Sequence, residues 1–315
     1  MTYLTLALGL LLLLAGGEYL VRGAVGMARA LGVSPLFIGL TLVGFGTSAP
    51  ELVASLIAAF RDAPGIAVGN VVGSNIANVA LILGVASLVA PLPVPRQAFH
   101  RDALALTVAT LVAAGIILAG HLSRPLGLAM VALLVAYVSL TYWAERRHPD
   151  AESALHEEEA AQYPASPGGL LRPALVTVLA LAGVILGARL LVDAAMTLAR
   201  ELGVPDSIIG LTVVAIGTSL PELVVSVVAA ARGHGAVAVG NVVGSNIYNA
   251  LFILGMTAAV HPLDVPGRIA GFDVWVLVGV TVLLLAYMLR GARIGRLSGL
   301  AFLTLYAAYM ARLVH

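Results

Sequence analysis

The sequence contains no cysteine, and its 17 basic residues are all arginine. The absence of cysteine excludes disulfides, thiolate metal ligands and a cysteine nucleophile. Charged residues of both signs make up only 10% of the chain, against roughly 25% in soluble domains. The net charge of +1 gives no electrostatic reason to expect a nucleic-acid partner.

Long apolar runs fill most of the chain, of which 60% is hydrophobic. A membrane-spanning helix needs roughly 20 mostly apolar residues. The runs therefore predict an all-α integral membrane protein with ten transmembrane helices. The predicted spans cover residues 3–29, 35–60, 66–91, 103–120, 126–144, 172–199, 207–231, 236–260, 272–289 and 297–314.

A polar segment separates the two groups of five spans, which gives a first unit at 1–144, a linker at 145–171 and a second unit at 172–315. The acidic cluster Glu157, Glu158 and Glu159 favours a solvated linker, with a regulatory cation-binding role as the alternative. Arginines flanking the spans favour extracytoplasmic N- and C-termini and a cytoplasmic linker, in the cell (inner or plasma) membrane.

The second unit repeats the first at a constant offset of 171 positions. GTSAPEL at 46–52 returns as GTSLPEL at 217–223, and AVGNVVGSNI at 67–76 returns unchanged at 238–247. Because each unit holds five spans, an odd number, the second unit must run upside down relative to the first. The sequence thus predicts two inverted-topology repeats, with a substrate site where they meet near the midplane. Stability alone would not require identical polar strings inside apolar helices.

Pro50 and Pro221 interrupt the middle of spans two and seven, because proline removes a helical hydrogen bond. Glu51 and Glu222 follow these prolines directly. A carboxylate at this depth costs about 3 kcal/mol, and no arginine stands at that depth in spans two, three, seven or eight. We interpret the glutamates as cation ligands. The alternative is a pair of protonated structural acids.

Hydroxyl and amide side chains share helix faces with this pair. Thr47 and Ser48 stand four and three residues before Glu51, and Thr218 and Ser219 take the same positions before Glu222. In spans three and eight, serine and asparagine stand four residues apart, so each pair projects from one face. These pairs are Ser74 with Asn78 and Ser245 with Asn249. Interhelical hydrogen bonding is the alternative reading of these pairs.

All these ligand types are oxygen, which suits hard cations such as Ca²⁺ and Na⁺. Histidines stand only at span ends or in loops, so soft transition metals are disfavoured. Two negative charges balance one Ca²⁺ or more than one Na⁺, and an exchanger needs a site that both ions can occupy in turn. Two further intramembrane pairs, Glu18 with Arg22 and Arg189 with Asp193, are local ion pairs or, alternatively, gating contacts.

GFGTSAPELVAS with GNVVGSNIANVALILG, and AIGTSLPELVVS with GNVVGSNIYNALFILG, resemble the two alpha-repeats of the sodium/calcium exchanger (cation/Ca²⁺ antiporter) superfamily, particularly its prokaryotic members. The resemblance implies Na⁺ entry driving Ca²⁺ export by alternating access. It also implies that backbone carbonyls contribute ligands. The implied ion ligands are Glu51, Glu222, Thr47, Thr218, Ser48, Ser219, Ser74, Ser245, Asn78, Asn249, Gly44 and Ala215.

At Asn78 and Asn249 this sequence differs from members of the superfamily that carry an aspartate at one of these two positions. Two site carboxylates instead of three bear on protonation, on any K⁺ requirement and on the number of Na⁺ ions bound. An H⁺-coupled or K⁺-dependent antiporter using the same glutamates is the alternative.

Near-symmetric broken helices argue against a channel, and no histidine near Ser48 could act as base for an enzyme. We expect no cofactor, no obligatory protein partner and only ions and lipid as ligands.

Overall fold

The computed structural model is almost entirely helical and describes residues 2–31, 38, 42–60, 62, 64–94, 96–147, 169–201, 215–290 and 293–314. The predicted linker, including its acidic cluster at 157–159, lies mostly outside these residues, as do the beginnings of spans two and seven. In the first half the helices are α1 (Thr2–Leu31), α2 (Gly44–Thr47), α3 (Ala49–Phe60), α4 (Pro64–Ala77), α5 (Leu83–Val89), α6 (Arg96–Ala119) and α7 (Arg124–Arg147). In the second half they are α8 (Leu171–Glu201), α9 (Ala215–Thr218), α10 (Leu220–Ala231), α11 (Gly235–Tyr248), α12 (Leu254–Val260), α13 (Val274–Arg290) and α14 (Arg296–Val314).

The element pattern of the first half returns in the second at the predicted offset of 171. Two short helices, α2 and α3, correspond to α9 and α10, and α4 corresponds to α11. In both halves a five-residue π-helical segment follows, Asn78–Ile82 in the first and Asn249–Ile253 in the second. The repeat seen in the sequence is therefore also a repeat of local backbone structure.

Helix packing places the repeated polar strings at the centre of the molecule. The long helices α1 and α8 pack against each other, while α6 packs on α13, α7 on α12 and α14 on α5. Helix α11 is buried along its whole length. Outer helices leave large apolar side chains exposed, among them Leu104 on α6, Leu128 on α7 and Val178 on α8. An apolar surface of this extent suits contact with lipid.

Six helices among the described residues are long and apolar enough to cross a membrane. They are Thr2–Met27, Pro64–Val89, Arg101–Ala119, Arg124–Thr141, Gly235–Val260 and Ile269–Arg290. Each coincides with one of the ten predicted spans. Shorter apolar helices, Ala49–Phe60, Leu171–Gly187 and Leu220–Ala231, lie within three more of them. The tenth predicted span forms α14, and its crossing of the membrane stays a prediction.

Short backbone pairings tie the two halves together at the ends of the helices. Strand β1 (His121–Leu122) pairs antiparallel with β2 (Leu263–Asp264). Leu92, the counterpart of Leu263, forms an isolated bridge with Ile294. In both pairings, the connection after the third span of one half contacts the connection after the fourth span of the other half.

Helix α1 carries an ion pair that the sequence predicted and a second contact that it did not. Arg22 Nε lies 2.6 Å from Glu18 Oε1, which confirms the local i, i+4 pair. Arg232, directly after α10, places its Nε 2.7 Å from Glu18 Oε2. Glu18 therefore also connects α1 to the end of α10. The pairing of Arg189 with Asp193 stays a prediction.

Glycines allow α7 to cross α12 and α5 to cross α14 with backbones in contact. A Cβ added at Gly127 would meet the Gly255 carbonyl oxygen and lie 2.7 Å from the Ala259 nitrogen. In the equivalent crossing, a Cβ at Gly299 would lie 2.7 Å from the Gly84 carbonyl oxygen. Backbone atoms cannot move aside as a flexible side chain can, so neither crossing tolerates a larger residue.

We expect Gly127→Ala to lower stability by about 1–3 kcal/mol, because overpacking forces the two helices apart. Thermal unfolding of the purified protein in detergent measures the change. Gly115→Ala on α6 is the matched control, since no atom lies within 4 Å of its added Cβ and alanine favours the helix by about 0.5–1 kcal/mol. Equal unfolding temperatures for the two variants would contradict the proposed close crossing.

Candidate cation site

Both central helices are broken where the sequence predicted. Helix α2 ends at Thr47, Ser48 has φ −80° and ψ 4°, and α3 begins at Ala49. In the second half Ser219 has φ −90° and ψ 5° between α9 and α10. The prolines that cause these breaks occupy the second position of the new helices, where the missing N–H has no intrahelical partner to lose.

Glu51 and Glu222 lie in the first turn of α3 and α10 and are fully buried, each with 0% of its surface exposed. The positive end of a helix dipole favours a carboxylate in the first turn by about 0.3–1 kcal/mol. A broken helix therefore provides, inside the molecule, a helix start that a continuous helix lacks at this depth. The proline break and the buried acid are physically connected.

Each glutamate is hydrogen-bonded by a serine of the opposite half. Ser48 Oγ donates to Glu222 Oε1 at 3.1 Å, and Ser219 Oγ donates to Glu51 Oε1 at 3.1 Å. The serines therefore connect the two breaks. The sequence placed each serine on the face of its own glutamate; the structure pairs it with the other one.

Most of the remaining predicted ligands surround these contacts. Ser74 Oγ lies 3.4 Å from Ser219 Oγ, and Ser74 also interacts with Glu51. Ser245 Oγ donates to the Gly44 carbonyl at 3.3 Å.

Thr47 is fully buried, and its Oγ1 donates to the Val43 carbonyl at 3.0 Å. Both Thr47 and Ser245 interact with Glu222. In the second half Thr218, the counterpart of Thr47, is half-buried in α9, and Ala215, the counterpart of Gly44, begins that helix.

Asn78 and Asn249 each open a π-helical segment, a feature that is frequent at functional sites. The segment that begins with Asn78 packs against α10, which carries Glu222, and the segment that begins with Asn249 packs against α3, which carries Glu51. Both asparagines are buried. They therefore lie beside the glutamate helix of the opposite half.

Four buried oxygens of the site have no hydrogen-bond partner among the described residues: Glu51 Oε2, Glu222 Oε2, Asn78 Oδ1 and Asn249 Oδ1. None of the ion pairs within the described part of the chain involves either glutamate. Buried acceptors without donors, and buried charges without countercharge, are costly. Cations are the kind of partner that buried oxygens and charges of this type require.

The described residues contain no cluster of three or more His, Cys, Asp or Glu side chains able to hold a metal. A cation here would be held by two carboxylates together with hydroxyl, amide and carbonyl oxygens. This donor set fits hard ions and not the soft transition metals.

Two asparagines that the sequence analysis did not single out hold the broken helices in place. Asn241 Nδ2 donates to the Glu222 carbonyl at 3.2 Å and to Ser226 Oγ at 3.0 Å. Asn70 Nδ2 makes the same bonds to the Glu51 carbonyl at 3.1 Å and to Ser55 Oγ at 3.0 Å. Both asparagines stand inside the repeated GNVVGSN string, so their repetition was the available signal.

We expect Asn241→Leu to destabilise the protein by about 1–3 kcal/mol, because it removes these two bonds, and a third from Thr47 Oγ1 at 3.2 Å, from a fully buried site. Asn70→Leu removes two bonds, of 3.1 and 3.0 Å, from a half-buried position and should cost less. Thermal unfolding of the two variants in detergent provides the comparison. A larger loss for Asn70→Leu would contradict the difference in burial.

Comparison with known proteins finds one family over nearly the whole chain. The family model described as "Sodium/calcium exchanger protein" matches residues 1–143 and 173–314. The sodium/calcium exchanger MaX1 of Methanosarcina acetivorans is 35% identical, covering 99% of this chain and 98% of the relative. The putative antiporter CaxA of Alkalimonas amylolytica is 36% identical, covering 96% of this chain and 95% of the relative. The inner membrane protein YrbG of Escherichia coli is 35% identical, covering 98% and 95%.

Solved structures of the sodium-calcium exchanger NCX_Mj have a similar fold. The form soaked with 2.5 mM Na⁺ and 1 mM Sr²⁺ superposes with a TM-score of 0.85 at 32% identity, covering 98% of this chain and 97% of that one. The form soaked with zero Na⁺ and Ca²⁺ gives a TM-score of 0.86 at 32% identity, with 99% and 98% covered. The likeness extends over the whole fold.

Proposed function

Since this chain belongs to the sodium/calcium exchanger family, a family of cation/Ca²⁺ antiporters, we propose that it exchanges Na⁺ for Ca²⁺ and that Na⁺ entry drives Ca²⁺ export. The observation that carries this proposal is the set of four buried carboxylate and amide oxygens that have no hydrogen-bond donor within the described residues. The transported ions then serve as the counterions, and no cofactor or covalent chemistry is required.

The donor set supports exchange between these two ions. Ca²⁺ takes six to eight oxygen ligands at about 2.4 Å. Two carboxylates neutralise one Ca²⁺, and they neutralise more than one Na⁺ equally well. Either kind of ion fills the site, while both together would exceed its charge. Mutual exclusion of this kind is what couples the fluxes of an antiporter.

We assign the full predicted set as ion ligands. Side chains bind at Glu51, Glu222, Ser74, Ser245, Asn78 and Asn249. Side chains or backbone carbonyls bind at Thr47, Thr218, Ser48 and Ser219, and backbone carbonyls at Gly44 and Ala215. The serine–glutamate bonds between the two halves support this assignment, because an ion that replaces these donors would contact both halves at once.

The proposed topology is ten transmembrane helices in two inverted five-helix repeats, 1–144 and 172–315, joined by the linker at 145–171. Both termini are extracytoplasmic, the linker is cytoplasmic, and the protein resides in the cell (inner or plasma) membrane. The odd number of predicted spans per repeat and the reciprocal contacts between the halves support the inversion. The relative YrbG of Escherichia coli is named as an inner membrane protein.

Differences between the halves support alternating access. Gly69, Asn70 and Gly73 on α4 are half-buried, whereas Gly240, Asn241 and Gly244 on α11 are buried. A Cβ added at Gly73 would meet no atom within 4 Å. In this conformation the site is thus more open beside α4 than beside α11. The opposite arrangement would open it to the other side of the membrane.

Proton coupling is the second candidate. A carboxylate whose Oε2 has no partner within the described residues can accept a proton as well as a metal ion. Glu51 and Glu222 would then carry protons in one direction and a cation in the other. K⁺ dependence is a further form of the same exchange. These candidates are distinguished by which ion gradient, that of Na⁺, H⁺ or K⁺, drives the transport of Ca²⁺.

We expect proteoliposomes loaded with Na⁺ to take up ⁴⁵Ca²⁺ when diluted into Na⁺-free buffer, because the outward Na⁺ gradient drives Ca²⁺ inward. Vesicles with equal Na⁺ on both sides are the control and should take up little. Uptake that ignores Na⁺ but follows an imposed pH gradient would overturn Na⁺ coupling in favour of proton coupling. Adding K⁺ to either side shows whether K⁺ is required.

We expect Glu51→Gln and Glu222→Gln each to abolish exchange, because the remaining single charge no longer balances Ca²⁺. The measurement is the initial rate of Na⁺-driven ⁴⁵Ca²⁺ uptake, corrected for the amount of reconstituted protein. Asp264→Asn is the control: it neutralises an exposed carboxylate that pairs with His121 at 2.7 Å, away from the site. Full activity in either glutamine variant would refute the site.

A further inference from the structure

Two buried asparagines, Asn75 and Asn246, join the two halves next to the predicted ligands. Asn75 Nδ2 donates to the Asn246 carbonyl at 3.1 Å, and Asn246 Nδ2 donates to the Asn75 carbonyl at 3.3 Å. Their exposed fractions are 2% and 1%. The resemblance to the exchanger superfamily assigns neither residue to the ion site.

These two bonds determine which way both amides point. A backbone carbonyl can only accept a hydrogen bond, so the amide nitrogen of each side chain must face it. The Oδ1 atoms of Asn75 and Asn246 therefore face away from the carbonyls. Each of these oxygens is available to accept a hydrogen bond from another donor.

In one half this acceptor is used. Asn78 Nδ2 donates to Asn246 Oδ1 at 3.0 Å. With its nitrogen engaged, Asn78 presents the opposite atom, Oδ1, which has no donor among the described residues. Asn246 thus orients the amide of Asn78 so that an oxygen, and not an N–H, is offered to a cation.

In the other half the equivalent bond is missing, although both atoms that would form it are present. By the offset of 171, the counterpart of the Asn78–Asn246 bond joins Asn249 Nδ2 to Asn75 Oδ1. Both of these buried atoms lack a hydrogen-bond partner within the described part of the protein. The bond is therefore made on one side of the reciprocal pair and open on the other.

We infer that Asn75 and Asn246 are positioning residues that orient the two ligand amides in turn, Asn246 orienting Asn78 in one access state and Asn75 orienting Asn249 in the other. Leaving this buried donor and this buried acceptor unpaired is costly, which favours a second state in which the two atoms meet. Reversing the asymmetry between the halves exchanges the two bonds. This inference rests on the proposed antiport, since it concerns the ligands of that site.

Two matched substitutions separate this role from a merely structural one. Asn246→Leu and Asn75→Leu each remove one donor to a backbone carbonyl from an equally buried position. Asn246→Leu removes the acceptor that Asn78 uses in this structure, whereas Asn75→Leu removes the acceptor that Asn249 would use in the other state. Loss of a residue that orients a metal ligand typically weakens metal binding by 10-fold or more.

The experiment measures the apparent KM for Ca²⁺ from each side of vesicles in which the protein has one orientation. Asn246→Leu should raise the KM about tenfold on one side of the membrane, and Asn75→Leu should raise it about tenfold on the opposite side. Elevation on the same side, or equally on both sides, would overturn the inference. If the leucine variants do not purify as folded protein, Asn246→Ala and Asn75→Ala carry the same test.

Rescue by Asn78→Asp provides the second readout. A carboxylate offers oxygen whichever way it turns, so it needs no partner to orient it. Adding Asn246→Leu to Asn78→Asp should therefore leave the KM within about twofold of the Asn78→Asp value, whereas the same change in the unaltered protein raises it. An undiminished increase in the double variant would contradict orientation as the role of Asn246. Absence of Na⁺-driven uptake in the unaltered protein would instead refute the proposed antiport.

Discussion

Two fully buried carboxylates, which have no ion-pair partner among the described residues, are the constraint on which the rest of this molecule depends. Each carboxylate avoids water completely, and none of the described ion pairs includes it. Charges in this position are tolerated only if something else compensates them. In the function we propose, the transported ion supplies this compensation, so the cost of leaving the site unfilled would couple the movement of one ion to that of the other.

Several local features stabilise these carboxylates or the backbone that carries them. The proline breaks give each glutamate a helix start. The serines at the breaks hydrogen-bond the glutamate of the opposite half. Asn70 and Asn241 hold the backbone directly at the glutamates, where helical hydrogen bonding is interrupted. Irregular backbone at membrane depth needs such side-chain partners because no lipid can supply them.

The repeat made much of this architecture predictable. Two strings that recur at a fixed offset, one unchanged and one nearly so, predicted the broken helices and drew attention to the glutamates, serines and asparagines. Six of the ten predicted spans coincide with helices long enough to cross a membrane. Periodicity relates residues within one helix, so it could not reveal that Ser48 contacts Glu222 across the two halves. Nor could it distinguish a continuous α-helix from one with a π-helical segment at Asn78.

A perfect repeat would give a symmetric molecule, yet an alternating-access transporter must be open to only one side of the membrane at any moment. The sequence places equal residues at equal positions in the polar strings, so the difference between the halves there must come from conformation. The half-burial of Asn70 beside the full burial of Asn241 is one expression of it. The single amide bond from Asn78 to Asn246 is another. In the proposed exchange of roles, passing from one access state to the other requires breaking one hydrogen bond and forming its counterpart, which would keep the two states close in free energy.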